Sequence, residues 1–118
     1  MTDNVTFRLS ARANDVAAKL VDAKKFDSAL SAAKFALGYT IKNHFDTFDP
    51  KSYSVSDSAG NTYNVGSFDP QIVQAIYALY PGVDTPMIYI RSLVNYGLER
   101  IGDIIDQEGI PRVSALCE

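Results

Sequence analysis

The sequence is poor in the residues on which small enzymes and metal sites usually rest. It has one cysteine, Cys117, so no disulfide can close within the chain, and a reducing, cytoplasmic setting is the expected one. It has one histidine, His44, placed where a helix-ending, solvent-facing residue is the ordinary reading. With no Cys/His cluster, no glycine-rich phosphate loop and no HExxH pair, the sequence assigns no metal, no cofactor and no catalytic residue. "DSAGNT" sets oxygen-bearing residues near a glycine, but without the spacing or closing glutamate of a calcium loop. Long apolar runs are absent as well. None approaches the roughly 18 residues that span a bilayer, so no membrane partner is expected. "MTDNVTFRLS" has no basic segment leading into a hydrophobic block, which argues against secretion.

Positive charge is scarce in one half only. Residues 1–51 carry a net +2, while residues 52–118 have three arginines against eight acids, a net −5, and together these give −3. Non-specific affinity for nucleic acid comes mostly from Lys and Arg neutralising phosphates, so DNA could be held only by the N-terminal half, and weakly. Hydrophobic residues make up 47% of the 118, enough for one folded domain over the whole length.

Apolar spacing then gives the elements. Val5, Phe7 and Leu9 alternate with Asn4, Thr6 and Arg8, the period of a strand buried on one face. Ser10 is the predicted N-cap of a helix whose stripe is Ala13, Val16, Ala17, Leu20 and Val21. A second helix opens near Asp27 or Ser28 and ends before Pro50. Tyr53 and Val55, then Tyr63 and Val65, alternate about Gly60-Asn61, which predicts a β-hairpin over 52–66. Asp69-Pro70 and Thr85-Pro86 (or Asp84) start two further helices, a pair over 69–108, and the tail 110–118 is expected to be loose. The fold class is therefore α+β and mostly helical. Its core is expected to include Phe35, Leu37, Ile72, Ile76, Leu93, Leu98 and Ile101.

Residues 4–41, one strand and two helices, resemble a ribbon-helix-helix DNA-binding unit. The resemblance implies that Asn4, Thr6 and Arg8 face the major groove, with Arg12, Lys24 and Lys25 as the supporting cations. Asp27 opposes it, since it sits where a phosphate would approach. So does the predicted hairpin, which offers the strand a partner in its own chain. An ordinary edge strand is the competing reading.

Tyr77, Tyr80, Tyr89 and Tyr96 fall on the last two predicted helices among Ile, Leu and acids, a setting that suits a protein interface better than base stacking. "SAAKFALG" and "IRSLVNYG" put small residues where a neighbouring helix could pack, so a homo-oligomer is a further expectation. Phe35, Ala36, Leu37 and Gly38, with Asn95, Tyr96, Gly97, Leu98 and Glu99, resemble blocks of the small accessory proteins encoded beside DNA phosphorothioation and related defence systems. That resemblance implies an accessory protein of a DNA-modification complex and assigns no catalytic residue. The functional expectation is a non-enzymatic adaptor, with a weak DNA-binding regulator as the alternative. A small enzyme drawing on His44, Asp103 or Asp106 is the third reading.

Overall fold

The longest helix, α4 (Pro86–Glu108), organises the chain, because β1, α1, α2 and α3 all pack on it. A computed structural model describes Asp3, residues 6–55 and residues 58–117. The order is β1 (Thr6–Ser10), α1 (Ala11–Asp22), α2 (Ala29–His44), β2 (Ser58–Asn64), a 3-10 turn (Val65–Ser67), α3 (Pro70–Leu79), α4 and α5 (Val113–Leu116). Asn4 and Val5, assigned above to the strand, lie outside the described residues.

The predicted starts of the helices hold, for different reasons. Ala13 N–H donates to the Ser10 hydroxyl at 3.1 Å, so Ser10 caps α1 as its position suggests. Ser28 caps α2 through Ser31 N–H, also at 3.1 Å. Asp69 and Thr85 occupy the N-cap positions ahead of Pro70 and Pro86, but neither side chain makes a capping hydrogen bond. For α4 the cap comes from elsewhere in the chain. The two carboxylate oxygens of Asp3 accept from Met87 N–H and Ile88 N–H, each at 3.0 Å. A carboxylate there satisfies two orphan donors and meets the positive end of the helix dipole.

The core forms where α2 and α1 lie on α4. Leu37, Ile76, Leu93, Leu98 and Ile101 are buried as expected, while Phe35 and Ile72 pack against the core only in part. Two glycines set the approach of the helices. A Cβ at Gly97 would overlap the Ala36 carbonyl oxygen and the Thr40 hydroxyl of α2, and one at Gly102 would meet Val16 Cγ2 of α1 at 2.7 Å. The buried Thr40 hydroxyl lies 3.0 Å from the Ala36 carbonyl of its own helix and 2.8 Å from the Leu93 carbonyl of α4. It can donate its one proton to either, which ties the two backbones at their closest point.

Two expectations need correction. The hairpin over 52–66 is replaced, among the described residues, by one strand that pairs with β1. The register of this antiparallel pair is Phe7↔Tyr63 and Leu9↔Ala59. Between those pairs β2 has two more residues than β1, a bulge where Gly60 takes φ 78° against Asn14 of α1. The left-handed conformation of Gly60, which a hairpin turn would use, serves the bulge instead. The would-be first arm, around Tyr53, is drawn off to α4, where the Tyr53 hydroxyl donates to Glu99 at 2.7 Å; Ser56 and Asp57 lie outside the described residues. The tail is also less loose than expected. Gly109, at φ 82°, ends α4, and α5 then returns to bury Leu116. Glu118 lies outside the described residues.

Gly97→Ala should lower unfolding free energy by about 1–3 kcal/mol through overpacking. Gly38→Ala, where a Cβ meets nothing within 4 Å, should raise it by up to about 1 kcal/mol. Asp3→Ala should cost about 1 kcal/mol as a lost cap. Urea titrations of the three variants would measure all three effects.

Candidate interaction surface

Helix α3 buries only Ile76 fully, and its Tyr77 is 50% exposed and its Leu79 37% exposed. No charged residue occurs from Pro70 to Val83, so an outward-facing helix and the turn after it carry neither Lys, Arg, Asp nor Glu. Solvated helix faces usually hold charges, whereas the centres of protein interfaces are depleted in them and enriched in tyrosine. Pro70, Val73 and Gln74 line a shallow apolar groove with Gly66 and Phe68, and Tyr77 continues the same side of the helix one turn on.

Two sets of aromatic residues meet at the loop after α2. In the first, Tyr80 meets Phe45 at 5.4 Å and Tyr89 at 5.0 Å between ring centroids. Phe45 is 37% exposed, and the Tyr80 hydroxyl has no hydrogen-bond partner among the described residues. In the second, Tyr96 stacks on Phe48 at 4.2 Å and meets His44 and Tyr53 edge-on. The Arg100 guanidinium lies over the Tyr96 ring at 5.0 Å, a cation–π contact. The four predicted interface tyrosines therefore differ. Tyr77 is presented outward, Tyr80 and Tyr89 form a half-buried rim, and Tyr96 is a packing residue. Sequence reasoning missed Phe45, Phe48 and Tyr53. Their signal was "HFDTFDPKSY", an aromatic-rich loop of a kind that is ordinarily polar.

A polar tie joins β1 and the loop after α2 to α4. Glu99 accepts from the Ser10 hydroxyl and the Tyr53 hydroxyl, both at 2.7 Å, and the buried Asn95 accepts the Ser10 N–H at 2.7 Å. Burial, and then the bond to Glu99, holds the Tyr53 phenol above its ordinary range. Burial raises the Tyr39, Tyr63 and Tyr80 phenols too, helped at Tyr80 by Tyr89 and Asp49.

The residues implied by the ribbon-helix-helix resemblance are not gathered into one cationic surface. Asn4 lies outside the described residues. Thr6 and Arg8 do face outward, as the alternation required, and Arg8 Nε donates to Thr62 Oγ1 at 3.2 Å. Arg12 is held by Asp103 at 2.8 Å and Asp106 at 3.1 Å, and those carboxylates raise its pKa. Lys24 and Lys25 follow the far end of α1, roughly 18 Å along the helix axis from β1. One edge of β1 is taken by β2, and at Ser10 the backbone N–H is bound by α4. The groups of the enzyme reading are likewise apart in their contacts: Asp103 and Asp106 pair with Arg12, and His44 sits against the rings of Tyr39 and Tyr96. No cluster of His, Cys, Asp or Glu suited to a metal occurs among the described residues.

Alkali should unfold the protein in a way these phenols dictate. Unfolded tyrosines ionise near pH 10, while the folded ones keep their protons longer. Above that pH the folded state binds more protons, so stability is present in full below about pH 10 and falls as pH rises further. Denaturant melts from pH 8 to 11.5 should show this decline, and Tyr53→Phe should make it shallower. Compared with protein-family models, with curated proteins and with solved structures, the chain shows no significant match to any of them.

Proposed function

We propose that this chain works by binding another protein through the α3 face, as a non-catalytic accessory or adaptor. The observation that carries the reading is the uncharged, outward-facing stretch from Pro70 to Val83 in a chain whose second half is otherwise acidic. The rim of Phe45, Tyr80 and Tyr89 supports it. Half-buried rings there add apolar area at little ordering cost, because neighbouring rings already hold them in place. The resemblance of 35–38 and 95–99 to accessory proteins of DNA-phosphorothioation loci extends the proposal. On that reading the partner is a protein subunit of a DNA-modification complex, and nucleic acid is contacted by that subunit.

Direct DNA binding remains the second reading, favoured by the outward Thr6 and Arg8 alone. With Arg12 already paired to two carboxylates, its salt dependence would be that of only one or two phosphate contacts.

A photo-crosslinking amino acid in place of Tyr77 should give one discrete protein adduct in cells of the source organism. The same group in place of Lys19, exposed on α1, should give none. Leu79→Glu should abolish the adduct while leaving thermal unfolding within about 0.5 kcal/mol of the parent, as befits an exposed position. Absence of an adduct at Tyr77, combined with a low-salt duplex-DNA shift that Arg8→Ala removes, would reverse the order of the two readings.

A further inference from the structure

Helix α2 contains a glycine that the fold itself does not use. Gly97 and Gly102 are closed in by neighbouring atoms, but a Cβ on Gly38 would meet nothing within 4 Å, and its backbone φ is not positive. A glycine inside a helix costs about 1 kcal/mol relative to alanine, with no gain here from intramolecular packing. The space above Gly38 is a cleft of about 200 Å³ walled by Phe35, Tyr39 and Leu116. Lys34 and Lys42 also line it, one four residues before Gly38 and the other four after. That spacing puts all three on one stripe of α2, with the lysines roughly 12 Å apart along the axis. Lys42 is exposed. Lys34 Nζ lies 3.6 Å from Asp69, longer than the roughly 2.7–2.9 Å of a charge-assisted hydrogen bond, so its charge can be shared with an incoming group.

Size and charge together indicate the occupant. The cleft is below the roughly 300–1,000 Å³ of small-molecule sites and has room for about one apolar side chain. We propose that it docks a helical segment of an acidic protein partner. One leucine-sized side chain sits over Gly38, and carboxylates one turn to either side meet Lys34 and Lys42. This surface lies on α2 rather than α3 and does not depend on the function proposed above. Of its walls only Tyr39, through His44, touches the aromatic sets.

The probe is an alanine-based helical peptide with one leucine and a glutamate four residues before and after it. Fluorescence anisotropy with the whole chain should show binding. Replacing both glutamates by lysine, or the leucine by alanine, should weaken it by about tenfold or more. Gly38→Leu fills the cleft and should abolish binding with the circular dichroism unchanged; Gly38→Ala should lose part of it. Lys34→Glu combined with Lys42→Glu should turn the preference toward the lysine-flanked peptide. Equal binding of the two charge types by the parent protein, or parent-like binding by Gly38→Leu, would overturn the proposal. Two further outcomes would also overturn it by naming another occupant. One is a parent dimer that Gly38→Leu makes monomeric in sedimentation, which points to a second copy. The other is Gly38-dependent binding of decanoate without binding of the peptide, which points to a small amphipathic anion.

Discussion

The contact between α2 and α4 at Gly97 is the constraint from which the rest of the structure follows. With no side chain at that point, the α4 backbone comes up to the Ala36 carbonyl and the Thr40 hydroxyl, and Thr40 reaches across to Leu93. Helices this close bury small residues completely, which is why Ala32, Ala33 and Ala36 contribute to the core as much by permitting approach as by their own area. Any side chain at Gly97 would move α2 outward and open the gap that Leu37, Leu93 and Leu98 now fill.

Around that contact α4 is unusual in being buried on several sides, and its polar residues are used to attach the remaining elements. Asn95 and Glu99 hold Ser10 and Tyr53, joining the end of β1 and the loop after α2 to the same turn of the helix. Asp3 caps the start of α4, and the Arg12 pairs with Asp103 and Asp106 lie toward its other end. These exposed Arg12 pairs are worth little individually. The buried bonds of Asn95 count for more, because an unmet donor or acceptor there would leave a desolvation cost uncompensated. A two-stranded sheet is marginal in isolation. Here it persists because Phe7 of β1 and Tyr63 of β2 pack with Phe68 on its buried face and Ser10 is tied to α4.

What could be read in the sequence was local, and what could not was long-range. Pro70 and Pro86 announced helix starts because proline at the first helical position is a one-residue signal. The stripe Ala13, Val16, Ala17, Leu20 announced the buried side of α1 for the same reason of short period. The cap on α4 was invisible because Asp3 stands more than eighty residues away. The expected hairpin gives way to a β1–β2 pair because two alternating stretches near a glycine look alike whether they pair with each other or one pairs elsewhere. Nothing local told Gly38 from Gly97, although one is open and the other enclosed. Likewise the four tyrosines carry the same helical signature, and only packing separates the outward Tyr77 from Tyr96, held between Phe48 and Arg100.

The distribution of charge bears on how such a small domain can distinguish partners. Arg8 is bonded to Thr62 and Arg12 is paired with Asp103 and Asp106, so the two arginines nearest β1 are already engaged within the chain. The stretch from Pro70 to Val83 carries no charge and is flanked in sequence by Asp69, which lies 3.6 Å from Lys34 Nζ, and by Asp84. For the binding proposed above, an uncharged centre on α3 favours a partner that is itself apolar where it docks. The cleft over Gly38 has a different arrangement, an apolar centre between two lysines. On the two proposals, an uncharged face and a lysine-flanked cleft on one domain select segments of different charge. The Lys34–Asp69 pair sets the border of that cleft against the start of α3, so the two surfaces meet at one ion pair.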